Sequence, residues 1–372
     1  MAMVPKVVIV GCAGIPAAYG GFETLAENLA LHREKRALAV DLMVICSRRG
    51  LGAGVAHSFH GTSLRYLPLS ANGISSIAYD VWSLALAVWN RADTVLVLGV
   101  SGAIALPLVR WLGRTRVVTN IDGIEWRRAK WGRFARCFLR FSEWLAVHCS
   151  HVIVADNQAV AVHVEGHYGV SCAVIAYGGD HAIDIASRPY PAELPIRYAM
   201  ALCRIEPENN VEMILDAFSR SLGLSLVFVG NWNASAFGRE VRARYSGCNH
   251  IVLVDPEYDL GVLKTLRTGA CLYVHGHSAG GTNPSLVEMM HFGVPVAAYD
   301  CAFNRYTTHD QASYFASAEE LASLVAGLCP ITAQQLGGHM RELAQRHYTW
   351  DQVGKEYFRV LVPVGSTARQ IE

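Results

Sequence analysis

Short runs of apolar, largely β-branched residues recur along this chain, each followed by a helix-length stretch. The first half carries them at Lys6–Gly11, Val40–Cys46, Ser63–Leu67, Thr94–Gly99, Arg116–Asn120, His151–Val154 and Ala173–Ala176. Runs that are apolar throughout, rather than at alternate positions, fit parallel strands covered by helices on both faces. The pattern breaks at Arg188-Pro189-Tyr190-Pro191-Ala192-Glu193-Leu194-Pro195. It restarts with Tyr198–Cys203, Ser225–Val229, His250–Val254, Ala270–Val274 and Val294–Ala298. Two doubly wound α/β domains joined near residues 178–196 are predicted. The expected boundaries are 1–185 and 186–345, followed by an aromatic-rich helical tail at 346–372.

Composition supports this reading and removes others. With 372 residues, 52% hydrophobic, the chain can fill two domain cores, and its 33 glycines follow no three-residue period. A formal charge of +1 with no long basic run argues against a nucleic-acid partner. That charge is unevenly placed: residues 1–190 are net positive and residues 191–372 net negative. Ten cysteines without a CxxC pair suit a reducing cytosol. The N-terminus enters a strand directly, with no signal-peptide pattern. The most membrane-like stretch, Val95–Val109, contains Pro107 and is shorter than the about 20 residues a spanning helix needs. It reads as a buried strand and a packed helix.

Four segments carry chemistry. In GCAGIPAAYGGFETLAENLALH, Gly11, Gly14, Gly20 and Gly21 precede a helix whose free N-terminal amides favour an anion such as a diphosphate. Ala13 replaces the second glycine of a dinucleotide fingerprint, and the strand ending at Cys46-Ser47 offers no acid for a ribose. A tight turn using glycine only for packing is the alternative. In VVTNIDGIEWRRAKWGRFARCFLRF, Asn120, Asp122 and Glu125 follow a strand, at the sheet edge where ligands bind; Asp122 as a plain turn residue is the alternative. In ALCRIEPENNVEMILDAF, Arg204 stands at a strand-to-helix junction, suited to phosphate. In LYVHGHSAGGTNPSLVEMMHFGVPVAAYD, a strand delivers His275 and His277 into a Gly-Gly turn, and a helix then carries Glu288. Ser285 and Glu288 also have capping-box spacing. The two histidines lack a third ligand at a recognisable spacing, so no metal site is expected.

Taken in this order, GIPAAYGGFET, NIDGIEWRRAKW, RIEPENN and HGHSAGGTNPSLVE resemble the family 4 retaining glycosyltransferases. The narrower likeness is to the rhamnosyltransferase-like subgroup of bacterial polysaccharide enzymes, over about residues 5–360. The resemblance implies the GT-B fold: two Rossmann-like domains facing each other across a cleft, with a C-terminal helix returning to the N-terminal domain. It implies a nucleotide-sugar donor bound mainly by the C-terminal domain and an acceptor bound mainly by the N-terminal one. Gly20 and Gly21 match the glycine pair beside the donor diphosphate, Arg204 the phosphate-binding arginine, and Glu288 the ribose-holding second glutamate of E-x7-E. Three positions depart from the family. Gly280 replaces the first glutamate, which passes sugar recognition to His277, Thr282 or Asn283. Asn209 stands where many relatives carry a phosphate-binding lysine. Asp122 stands near the place of a histidine beside the acceptor.

The implied reaction moves a sugar, a deoxyhexose such as rhamnose, from a dTDP- or UDP-linked donor to a saccharide, lipid-linked acceptor, in surface polysaccharide synthesis. Negative charge builds on the departing diphosphate. Arg204 and the amides after Gly21 and at Gly281–Thr282 would offset it without a metal or cofactor. Asp122, with Glu125 as second candidate, would accept or orient the acceptor hydroxyl. A nucleotide-sugar epimerase of the same fold and a non-catalytic nucleotide-sugar-binding protein are the other readings. The expected place is the cytoplasm, at the inner face of its membrane. There the segment Arg127–Leu145, in which Arg127, Arg128, Lys130, Arg133, Arg136 and Arg140 all precede its first acid, Glu143, would meet anionic lipid. A stripe of Trp131, Phe134, Phe138, Phe141 and Leu145 runs along the same segment, with the arginines expected on roughly the opposite side. The stripe equally fits a helix packed on a core.

Overall fold

The structure is a computed structural model that describes residues 4–17, 20–49, 55–73, 75–128, 131–220 and 223–362. The chain divides into two compact units, Met1–Ala176 with Trp350–Glu372, and Tyr177–Thr349. In the first unit the order is β1 (Lys6–Val10), α1 (Gly21–Lys35), β2 (Asp41–Ser47), β3 (Ser58–Phe59), β4 (Thr62–Leu67), α2 (Ser75–Trp89), β5 (Thr94–Leu98), α3 (Leu106–Trp111), β6 (Arg116–Asn120), α4 (Arg133–Cys149), β7 (Val152–Ala155), α5 (Gln158–Tyr168) and β8 (Ala173–Val174). The strands lie in the order β3-β4-β2-β1-β5-β6-β7-β8, and every pairing but β3 with β4 is parallel. The central strands are apolar because both faces are covered: Val7 to Val10 and Val95 to Leu98 are buried throughout.

The second unit runs β9 (Tyr198–Leu202), α6 (Val211–Arg220), β10 (Ser225–Val229), α7 (Ala236–Tyr245), β11 (Ile251–Val254), α8 (Leu260–Thr268), β12 (Ala270–His275), α9 (Pro284–His291), β13 (Val296–Tyr299), α10 (Ala302–Thr308), β14 (Ser313–Phe315), α11 (Ala318–Gly327) and α12 (Pro330–His347). Its parallel sheet has the order β11-β10-β9-β12-β13-β14. Phe218, Phe228, Trp232, Leu226 and Val274 fill its core. The last helix, α13 (Trp350–Leu361), belongs to the first unit. It packs on α1, with Gly354 against the His32 ring and Arg36 Nε donating to Asp351 Oδ1 at 2.8 Å.

Both bodies are thus parallel-sheet, Rossmann-like layers. The division falls at Ala176/Tyr177, nine residues earlier than the sequence suggested. Residues 177–185 are tied to the second unit: Gly179 N–H donates to the Tyr348 carbonyl, and Lys264 Nζ donates to the carbonyls of Ile183 and Ile185. The tail holds a helix break at residues 348–349 rather than one helix from Arg346. β3 and β14 went unread because two or three residues give no apolar run.

Candidate functional site

In open α/β sheets, ligands bind beyond the carboxyl ends of the strands where the strand order reverses. In the second unit that point lies between β9 and β12, and the third and fourth sequence segments leave the sheet there. The two exits are bonded together. Asn210 Nδ2 donates to the Gly276 carbonyl at 2.8 Å, and Ser278 donates from N and Oγ to the Glu208 carbonyl at 3.1 and 2.7 Å. Asn209 is buried, with its amide donating to the Arg204 carbonyl at 2.7 Å. Asn209, at the position of the family's lysine, thus holds the turn that presents Arg204. The Arg204 side chain is half-exposed, with Glu206 at 3.8 Å.

His275 is buried and stacks on His277, ring centroids 4.4 Å apart. Burial, with His277 adding to it, holds His275 neutral well below the usual histidine range. Gly280 has φ +127° and open space around its missing side chain. A glutamate there would meet backbone strain rather than a clash, so this turn is built for glycine. Gly281 and the buried Thr282 follow, and Asn283 caps α9 by accepting from Ser285 N–H at 3.1 Å. Glu288 lies beyond the first turn, which removes the capping-box reading.

Glu288 is held from two sides. Arg267 of α8, itself buried, donates to Oε2, and His181 Nε2 is 3.3 Å from Oε1. Burial pushes this carboxyl up, yet Arg267 and His181 prevail and hold it below the usual range. Gly179 lets the chain lie directly on α9, since a Cβ there would come within 2.6 Å of the Glu288 nitrogen. Neither Arg267 nor His181 was read from the sequence. Both lie outside the motif, and Arg267 looks like an ordinary helix-end charge.

In the first unit the order reverses between β1 and β5. The glycine-rich exit of β1 is tied down by carboxylates: Ala13 N–H donates to Glu23 Oε1 at 2.6 Å and Ala17 N–H to Glu27 Oε2 at 2.5 Å. Gly20 is the residue before α1, and no side chain caps it there. Burial pushes the Glu23 carboxyl up despite the bond from Ala13. At the exit of β5, Ser101 Oγ donates to the buried Asp80 of α2, whose carboxyl burial pushes up to about 7.

Asp122 follows β6 in a left-handed conformation, φ 60°, with its N–H bonded to Asn120 Oδ1 at 2.8 Å. Asn120 Nδ2 in turn donates to the buried Tyr357 hydroxyl at 2.7 Å, so the C-terminal helix braces the turn. Glu125 accepts from Trp131 Nε1 at 3.0 Å and Arg128 Nη1 at 3.3 Å, which makes it a brace of its own loop. Trp126 donates to the buried Glu143, which also accepts from Tyr168 and His163.

The basic segment departs from its expected form. Residues 125–127 form a 3-10 turn and the helix begins at Arg133. Arg127 and Arg140 lie over the Trp126 ring, Arg128 pairs with Glu125, Arg133 and Arg136 are exposed, and Lys130 lies outside the described residues. The aromatic stripe splits. Leu145 is buried and Phe138 half-buried, but Phe134 and Phe141 are exposed beside the arginines rather than opposite them. Adjacent helix positions, 133 with 134 and 140 with 141, differ by only about 100° around the axis.

A family model described as a domain of unknown function, DUF1972, matches residues 4–180. No curated protein sequence matches. Among solved structures, sucrose-phosphate synthase from Thermosynechococcus elongatus aligns with a TM-score of 0.76 at 14% identity, over 96% of this chain and 98% of that one. HepE of Anabaena, in complex with UDP and glucose, aligns at 0.66 and 14%, over 96% and 99%. A structure from Listeria monocytogenes put forward as a UDP-N-acetylglucosamine 2-epimerase aligns at 0.64 and 14%, over 96% of both. At such identities the likeness establishes the fold and nothing further. Among the described residues, no helix is long and apolar enough to cross a membrane.

Proposed function

We propose that the chain is a glycosyltransferase whose nucleotide-sugar donor binds at the strand reversal of the second unit. The observation that carries this reading is the bonding of the Arg204 turn to the His277–Asn283 turn at that one place, with Glu288 on the helix that follows. Arg204 and the amides of Gly281 and Thr282 bind the diphosphate and stabilise its charge as the bond to the anomeric carbon breaks. Glu288 holds the ribose, while His277, Thr282 and Asn283 contact the sugar. Asn209 positions Arg204. In the first unit Gly20 and Gly21 offer amides suited to a diphosphate, and Asp122 is the group that takes or orients the proton of an acceptor hydroxyl.

The donor is dTDP- or UDP-linked, the sugar a hexose or deoxyhexose such as rhamnose, and the acceptor a lipid-linked saccharide of surface polysaccharide synthesis. The stereochemistry is retained, and the chain works at the cytoplasmic face of a membrane, drawn to anionic lipid by Arg133, Arg136 and Arg140. A thermal-shift panel of dTDP-, UDP- and GDP-sugars tests the donor site. A ligand at 100 times its dissociation constant adds about 2.7 kcal/mol. Stabilisation by a dTDP- or UDP-sugar that Arg204→Ala abolishes and Arg204→Lys only partly restores is the expected result. No shift with any nucleotide sugar would overturn the reading. The Listeria structure favours epimerisation as the second reading, and donor turnover without acceptor would select it.

A further inference from the structure

α2 is apolar on the side that faces water as well as on the side that faces the sheet. Its outward positions are Ala78, Trp82, Ala85 and Trp89, and Trp89 is 84% exposed. α3 packs against both α2 and α4 and adds Leu108 and Trp111, the latter 79% exposed, with Leu112 just beyond its end. α4 adds Phe141, Trp144 and Phe134, which is 94% exposed. A surface helix ordinarily turns a polar face to solvent, and large apolar side chains exposed on three neighbouring helices mark an interaction site.

Charge identifies the occupant. The carboxylates carried by α2, α3 and α4 are Asp80 and Glu143, and both are buried; the charges these helices present outward are Arg110, Arg133, Arg136 and Arg140. Two copies of this face meeting about a two-fold axis would set arginine against arginine. An anionic bilayer offers the opposite arrangement, phosphate for the guanidinium groups and an interfacial layer in which tryptophan and phenylalanine are at home.

We propose that the outward face of α2, α3 and α4 inserts into the interface of an anionic bilayer, with Trp89, Trp111 and Phe134 entering the headgroup layer. This rests on the membrane partner of the preceding section and adds an apolar component that salt does not screen. It is independent of the reaction, because vesicle binding is read without donor or acceptor.

The experiment is co-sedimentation of the full chain with phosphatidylcholine vesicles, with and without phosphatidylglycerol, at low salt and at 1 M salt, where the screening length falls to about 3 Å. Binding to the phosphatidylglycerol vesicles at low salt, with a measurable part surviving 1 M salt and a blue shift of tryptophan emission, is the expected result. The Arg133→Gln, Arg136→Gln, Arg140→Gln variant should lose the salt-sensitive part alone. The Trp89→Ala, Trp111→Ala, Phe134→Ala variant should lose the surviving part and the blue shift, with an unchanged melting temperature because all three side chains are exposed. Binding that disappears entirely at 1 M salt, or an aromatic variant that binds as the unchanged chain does, overturns the insertion. A lipid-free dimer that the aromatic variant dissolves, with no vesicle binding, gives the face to a second copy and also overturns it.

Discussion

The two units share one topological device and line it with different chemistry. In each, the strand order reverses beside the first strand of the sheet, between β1 and β5 in one and between β9 and β12 in the other. At the exits of β1 and β5 carboxylates hold the chain, and among the described residues neither Glu23 nor Asp80 forms an ion pair. Glu23 closes on the Ala13 amide and Asp80 on the Ser101 hydroxyl, and burial raises both carboxyls. The second unit presents Arg204 and the two histidines, and its part-buried carboxylate, Glu288, is matched by Arg267 and His181. Topology fixes where a crevice lies; the partner given to each buried carboxyl decides which ligand charge it can receive.

The largest expected effect comes from removing the cation that makes Glu288 different. Arg267→Met leaves a carboxylate that is 13% exposed with His181 alone and should cost about 3 kcal/mol of stability, the lower end of what breaking one side of a buried ion pair costs. Denaturant unfolding measures it. A cost below about 1 kcal/mol would mean that Glu288 is well hydrated and that the contrast with the first unit is one of position rather than pairing. Glu288→Gln, which strands Arg267, should also destabilise, so its nucleotide affinity must be measured where both variants are fully folded.

Asp80 tests the other side of the comparison. Its native carboxyl titrates at about 7, whereas in the unfolded chain it titrates at about 4. Between those values the unfolded chain binds fewer protons, so stability falls as pH rises through the window and levels off above about 7. Asp80→Asn keeps an acceptor for Ser101 and removes the charge. It should be more stable than the unchanged chain at pH 8, by no more than about 4 kcal/mol, and nearly equal to it at pH 4. An equal difference at both pH values would show that the carboxyl is not protonated by burial.

Asp122→Asn is the next in size. Asparagine tolerates the left-handed conformation that Asp122 adopts, so the substitution removes charge and basicity without backbone strain. A loss of about 100-fold in kcat, equivalent to about 2.7 kcal/mol, is expected if Asp122 takes the proton. A raised acceptor KM with near-normal kcat would make it a positioning residue, and full activity at all acceptor concentrations would remove it from the site.

The alternation of apolar runs with helical stretches made both sheets legible, because a strand buried on two faces carries little else. Arg116–Asn120 and Ser225–Val229 were bounded to the residue. The motif residues were legible for the same reason: Arg204 and His277 follow runs whose ends fix the sheet edge. What the sequence hid was mutual placement. Arg267 meets Glu288 across two helices, Tyr357 reaches Asn120 from the far end of the chain, and neither contact has a local spacing. The fate of the aromatic stripe was equally hidden, since one periodicity serves a core face and an exposed face alike, and only the packing of α3 beside α4 decides between them.

The smallest effect belongs to the glycine loop of the first unit and bears on Gly20 and Gly21. Those glycines were assigned to a diphosphate, yet the first turn of α1 carries Glu23, whose carboxylate already accepts from the Ala13 amide. An anion held by these amides would sit near that carboxylate and be repelled by it. Glu23→Gln keeps an oxygen for Ala13 and abolishes the repulsion. If Gly20 and Gly21 contact the donor, nucleotide diphosphate affinity should rise by about threefold, the order of one screened unit-charge interaction at a partly hydrated site. Calorimetric titration at constant ionic strength resolves a change of that size, and raising the salt should shrink it. Unchanged affinity would leave the loop as a packed turn, closed by the protein's own carboxylates, and would confine nucleotide recognition to the second unit.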